Sequence, residues 1–132
     1  MSERPPPWNW ERLPQTDLEA SWRELTLWVE WLRREYRTWV TLPDCWPLHE
    51  ALRSELCFFM WWHRRAVELS DDPEDGIRWH GDLRQAAEAW SRLATCDHEA
   101  QTDRRPADED RRRAQLSGYL RNAMDSWRHR TR

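Results

Sequence analysis

The chain has no lysine; all 21 of its basic residues are arginine. A high-GC coding sequence produces that bias, and it has a chemical consequence. Schiff-base catalysis and the phosphate clamp of a P-loop both use a lysine amine, so neither is open here. Glycine is nearly as scarce, with Gly76, Gly81 and Gly118 alone among 132 residues. They are too few and too scattered to build a glycine-rich nucleotide loop. Cysteine occurs three times, at Cys45, Cys57 and Cys96, without the dense spacing of a secreted disulfide scaffold. No apolar run approaches the ~20 residues of a membrane span. The richest, 56–62, stops at His63-Arg64-Arg65. The opening residues, Met1-Ser-Glu-Arg-Pro-Pro-Pro-Trp8, lack the apolar stretch of a secretory signal, so the expected location is the cytoplasm. Gly-x-Ser-x-Gly, His-Glu-x-x-His and paired carboxylates in an apolar setting are also missing. The sequence points to a protein that is not an enzyme and carries no organic cofactor.

What the chain does have is tryptophan, twelve of them, set in a background of mean hydropathy −1.09 with 34% charged residues. Each buried aromatic removes about 150–250 Å² from water, so a few can replace many aliphatics. Large apolar anchors among dense charge suit amphipathic helices. The expected fold is all-α, an antiparallel bundle of three long helices plus a fourth C-terminal helix.

The division of the chain follows from composition and periodicity. Residues 1–15 are a proline-rich arm whose Trp8 and Trp10 are expected to pack back on the body. Residues 16–96 form the tryptophan-rich bundle, and 97–132 a polar linker and an arginine-rich helix. Thr16-Asp17-Leu18-Glu19 has the form of a capping box. Leu18, Trp22, Leu25, Val29, Leu32, Tyr36 and Trp39 then repeat at spacings 4-3-4-3-4-3, which predicts a helix over 16–40. Pro43 and Pro47 break it. A second seam, Leu48, Leu52, Leu56, Phe59, His63 and Ala66, predicts a helix over 47–70. Trp79, Leu83, Ala86, Trp90 and Leu93 predict a third over 73–95, opened by Asp71-Asp72-Pro73-Glu74. Leu116, Leu120, Ala123 and Trp127 make the narrow stripe of a fourth over 108–129.

Charge is unevenly spread. Residues 1–103 carry 12 arginines against 20 acids, while residues 104–132 carry 9 arginines against 4 acids. A basic tail can bind nucleic acid through Arg104, Arg105, Arg111, Arg112, Arg113, Arg121 and Arg128. It can equally dock on an acidic body, its own or a neighbour's. Local pairs such as Asp108–Arg112 and Glu109–Arg113 would consume part of that charge.

Two further groups stand out. Cys45 and His49 open the second helix and Cys96 and His98 close the third, at one predicted pole. Two thiolates and two imidazoles make a tetrahedral set for a structural zinc, although packing and capping account for the same residues. His63 lies on an apolar seam, with His80 expected near it at the opposite pole, which is the setting of a hydrogen-bonded core histidine. A His63/His80/Asp82 acid–base cluster has no nucleophile or cofactor signature beside it. Trp28, Trp31, Trp61 and Trp62 widen the seams beyond what one neighbouring helix covers. They are candidates for contact with a protein partner or a second copy of the chain in a homo-oligomer.

Trp39, Cys45-Trp46-Pro47-Leu48-His49, Glu55-Leu56, Trp62 and Trp79-His80 together resemble a group of small actinobacterial domains of unknown function, found on plasmids, integrative elements and prophages. The resemblance covers about residues 39–93. It implies a mobile-element or phage origin and no activity. The pattern departs after Trp79-His80, where Gly81 precedes Asp82 instead of an acid following directly.

Overall fold

The computed structural model describes residues 4–95 and 109–130. Four α-helices are present: α1 Gln15–Glu35, α2 Glu50–His63, α3 Pro73–Ser91 and α4 Glu109–Arg130, with no strand among the described residues. Short 3-10 turns occupy Trp10–Arg12, Trp46–Leu48 and Arg92–Thr95, and a π turn spans Arg64–Glu68. The expected all-α class holds. None of these helices is long and apolar enough to cross a membrane.

The seams are where the spacing puts them except at the end of the first, where Trp39 lies beyond α1 and is exposed. Leu18, Trp22, Leu25, Val29 and Leu32 are buried on α1, and Leu52, Leu56, Phe59 and His63 on α2. Trp79, Leu83 and Trp90 are buried on α3, and Ala123 and Trp127 on α4. α2 lies between α1 and α3, while α4 packs against α1 and the Trp46–Leu48 turn. Seven tryptophans (Trp10, Trp22, Trp28, Trp46, Trp79, Trp90 and Trp127) are buried. At about 25 cal/mol per Å², each contributes roughly 4–6 kcal/mol in transfer terms, which is how a short chain with few aliphatics holds a core. Two of them also tie α3 to α2: the Trp79 indole N–H donates to the Phe59 carbonyl and that of Trp90 to Glu55 Oε1, both at 3.1 Å. Trp10 leaves the arm to meet Trp22 edge-on at 4.8 Å and Trp127 at 5.9 Å. Between Trp10 and Trp127, the buried guanidinium of Arg53 lies 4.3 Å and 5.0 Å from the two rings.

Helix ends depart from the sequence reading, each for a physical reason. α1 begins at Gln15 with Pro14 at the N-cap, and no side chain caps it. The Thr16/Glu19 box is not formed, because the helix starts early on the extended Pro14 and puts Thr16 inside its first turn; Glu19 pairs instead with Arg128 of α4 at 2.6 Å. α1 stops at Glu35, five residues short of the predicted end. Trp39 and Val40 both donate back to the Tyr36 carbonyl, closing a turn instead of continuing the helix. The stretch that follows is rich in β-branched residues and ends in Leu42-Pro43, where proline disfavours helical geometry at the preceding residue. Pro47 opens a 3-10 turn, His49 is extended, and α2 starts only at Glu50. α3 keeps its N-terminal signal: Asp72 accepts from the Glu74 backbone N–H at 3.0 Å, with Pro73 in the first turn.

Candidate functional site

His63 is a core residue and His80 lies partly buried beside it. His63 is buried, with its ring 4.6 Å from Trp79, 4.9 Å from Trp31 and 6.1 Å from Trp28. Its Nδ1 is 3.7 Å from Glu68 Oε1 on the π turn. Burial pushes the His63 pKa below 6.5; Glu68 opposes the shift, and His80 and Arg64 add to it. The ring is therefore neutral at neutral pH. His80 meets the Tyr36 hydroxyl at 2.8 Å and lies against Tyr36, Trp39 and Trp79. Both imidazoles thus pack on Trp79 within the same aromatic cluster. Asp82 is exposed two residues further along α3, where a helix points it away from His80. The geometry packs these groups and does not assemble an acid–base cluster.

The Cys45–His49 pair exists, with Sγ and Nε2 3.4 Å apart at the pole where α2 begins. Cys96 and His98 lie outside the described residues. Among the described residues no group of three or more His, Cys, Asp or Glu side chains could hold a metal. Cys57 is buried under α2, and burial pushes its thiol up to about 11, leaving it protonated and inert.

The arginine-rich segment is committed to the body. Arg112 reaches Asp44 through two contacts of 3.3 Å, and Arg33 of α1 meets the same carboxylate at 2.9 Å. Burial alone would raise the Asp44 carboxyl, but Arg112 and Arg33 more than offset it and hold it below the usual range. At the other end of α4, Arg128 pairs with Glu19. Between these clamps Leu116, Leu120 and Met124 rest on the core beside buried Ala123 and Trp127. Of the arginines named for nucleic acid, Arg112 and Arg128 are thus taken by carboxylates of the body. Arg112 pairs with Asp44; Asp108, expected as its local partner, lies outside the described residues. Arg111, Arg113 and Arg121 are exposed, and Arg104 and Arg105 lie outside the described residues.

The four tryptophans offered for protein contact separate. Trp28 is a core residue, packed on Trp31, His63 and Trp79, and is withdrawn from any contact surface. α1 turns it inward because the helix-one face is wider than a heptad seam, with 28 and 29 both buried. Trp31 is half-buried against His63 and Tyr36. Trp61 and Trp62 instead line an apolar groove of about 530 Å³ together with Phe58, Leu69 and Trp8 of the arm. Phe58 is 50% exposed, Leu69 81% and Trp8 38%. The charged residues lining the groove are Arg64, whose guanidinium is 4.6 Å above the Trp61 ring, and the exposed Arg65. No acid among the described residues lines it.

Sequence reasoning missed Trp8, Phe58 and Leu69. The signal for Phe58 was available, since it stands one residue off the buried seam on the same face as Trp61 and Trp62. Trp8 is placed by the arm folding back, and Leu69 by the π turn, and neither leaves a periodic trace. The chain matches no protein-family model, no curated protein and no solved structure.

Proposed function

We propose that this is a non-catalytic helical interaction protein, an adaptor or regulator, that docks a protein partner in the groove formed by Phe58, Trp61, Trp62, Leu69 and Trp8. The observation that carries the reading is the continuity of that surface. Exposed apolar residues are usually scattered singly, whereas here they adjoin in one concave strip with a basic edge. Tryptophan and arginine are also the residue types that dominate binding energy at protein contacts. The resemblance of residues 39–93 to small actinobacterial domains supports a cytoplasmic accessory of a mobile element or phage. The rival reading, nucleic-acid binding through the C-terminal arginines, loses support from the Arg112–Asp44 and Arg128–Glu19 pairs.

A photo-crosslinking residue in place of Leu69 tests the proposal. In cells that make the chain it should yield one discrete protein adduct, and Phe58→Glu should abolish that adduct. Absence of an adduct, or one indifferent to Phe58→Glu, overturns the reading.

A further inference from the structure

Resting on that reading, we infer that the groove takes an acidic amphipathic helix of about three turns, and not a second copy of this chain. The shape of the surface sets the occupant's form. Phe58 and Trp62 on α2, Arg65 in the π turn and Leu69 just after it line the groove over eleven residues of chain. At 1.5 Å per residue the strip is roughly 16 Å long, the span of about eleven helical residues. Apolar anchors of a partner helix at i, i+3 or i+4, and i+7 match such a strip.

Charge sets the occupant's sign. Arg64 and Arg65 edge the groove, and no acid among the described residues lines it. Arg64 is shared with Glu24 of α1 at 3.5 Å, so the exposed Arg65 carries most of the charge open to an occupant. Residues 1–103 otherwise carry 10 arginines against 20 acids, so this basic edge stands out from the body around it. A partner with Glu or Asp flanking its apolar stripe would meet complementary charge here. A two-fold pairing of the groove with itself would bring the Arg65 of both copies to one apolar patch with no lining carboxylate to meet them, a like-charge arrangement that costs affinity. An anionic bilayer shares the chemistry of an acidic helix. It is flat, however, whereas this surface is a groove of about 530 Å³ lined by α2 and the arm, and the acidic remainder of the body would be repelled.

The test uses the full chain and a fluorescently labelled 14-residue helical peptide with Leu at i, i+4 and i+7 and Glu at the flanking positions. A second peptide carries Lys at those positions. Fluorescence anisotropy should show the Glu peptide bound and the Lys peptide at least tenfold weaker. Arg65→Glu, at an exposed position, should weaken the Glu peptide about three- to tenfold and improve the Lys peptide, while Phe58→Glu abolishes both. Equal binding of the two peptides, or binding of neither, overturns the inference. So does sedimentation showing a dimer that Phe58→Glu dissolves, or binding to phosphatidylserine vesicles that Phe58→Glu removes. A groove-dependent crosslinked adduct together with failure of the Glu peptide leaves the interaction reading standing and removes only the acidic-helix assignment.

Discussion

Replacing Asp44 with alanine should destabilise the protein by about 3 kcal/mol and release α4 from the bundle. The carboxylate is 4% exposed and is the anion shared by Arg33 of α1 and Arg112 of α4. Removing one partner of a fully buried ion pair costs about 3–5 kcal/mol, because the charge left behind has lost both its partner and its water. The Arg33 and Arg112 side chains are 16% and 28% exposed, so each recovers some hydration and the lower end of that range applies. Arg33 also keeps Glu30 at 3.8 Å, which softens its loss further. Urea denaturation followed by circular dichroism measures the effect directly, with Arg112→Ala and the double variant closing a mutant cycle. A coupling of about 1 kcal/mol or more between positions 44 and 112 is expected, together with faster proteolysis within α4. The lowered Asp44 pKa fixes the pH behaviour. A carboxylate depressed in the folded state contributes stability that is present above its ordinary value of 3.8 and is lost as pH falls through the folded value. Asp44→Ala should therefore flatten the acid limb of the stability curve. A loss below about 1 kcal/mol, with the acid limb unchanged, would refute the account of α4 docking.

Trp127→Ala should cost about 3–5 kcal/mol, since it strips one wall from the Arg53 guanidinium and opens the Trp10–Trp127 contact; a melting curve like the wild type's would contradict the packing described. A low-salt mobility-shift assay should show no band that depends on residues 104–132, and a salt-sensitive band lost on their removal would restore the nucleic-acid reading. His63, depressed by burial, contributes stability that is present above its ordinary 6.5 and lost as pH falls below it, so His63→Phe should reduce the decline seen in thermal melts as pH falls below 6.5. A structural zinc held by Cys45 and His49 together with Cys96 and His98 should appear as close to one equivalent by elemental analysis of untagged protein, with chelator lowering the melting temperature; under about a tenth of an equivalent ends it.

The parts of this fold that could be read from sequence are those that repeat. Leu18-Trp22-Leu25 on α1 and Leu52-Leu56-Phe59-His63 on α2 announce their buried faces because a helix returns every 3.6 residues. Contacts that join distant segments carry no such signal. Thr16 and Glu19 have the form of a capping box, but an arginine 109 residues further on takes the glutamate. Asp44 reads as a turn residue between two prolines, and its role appears only when Arg33 and Arg112 converge on it. The groove was half legible: Trp61 and Trp62 exceed what one helical neighbour covers, whereas Trp8 and Leu69 arrive through the arm and the π turn.

That π turn changes how the groove relates to the core. The Leu69 backbone N–H bonds to the Arg64 carbonyl at 2.9 Å, five residues back where an α-helix would use four. The turn therefore holds one residue more than the helix needs, and every side chain beyond it is rotated by roughly 100° from the α2 register. Leu69 owes its angle to this step. Removing one residue within 64–68 would keep that angle on an uninterrupted α-helix, whereas tightening the turn to α-helical bonding without a deletion would swing Leu69 off the groove. The same turn carries buried Ala66 and packs against α3, so one backbone step sets both the Leu69 end of the groove and the packing of α2 on α3.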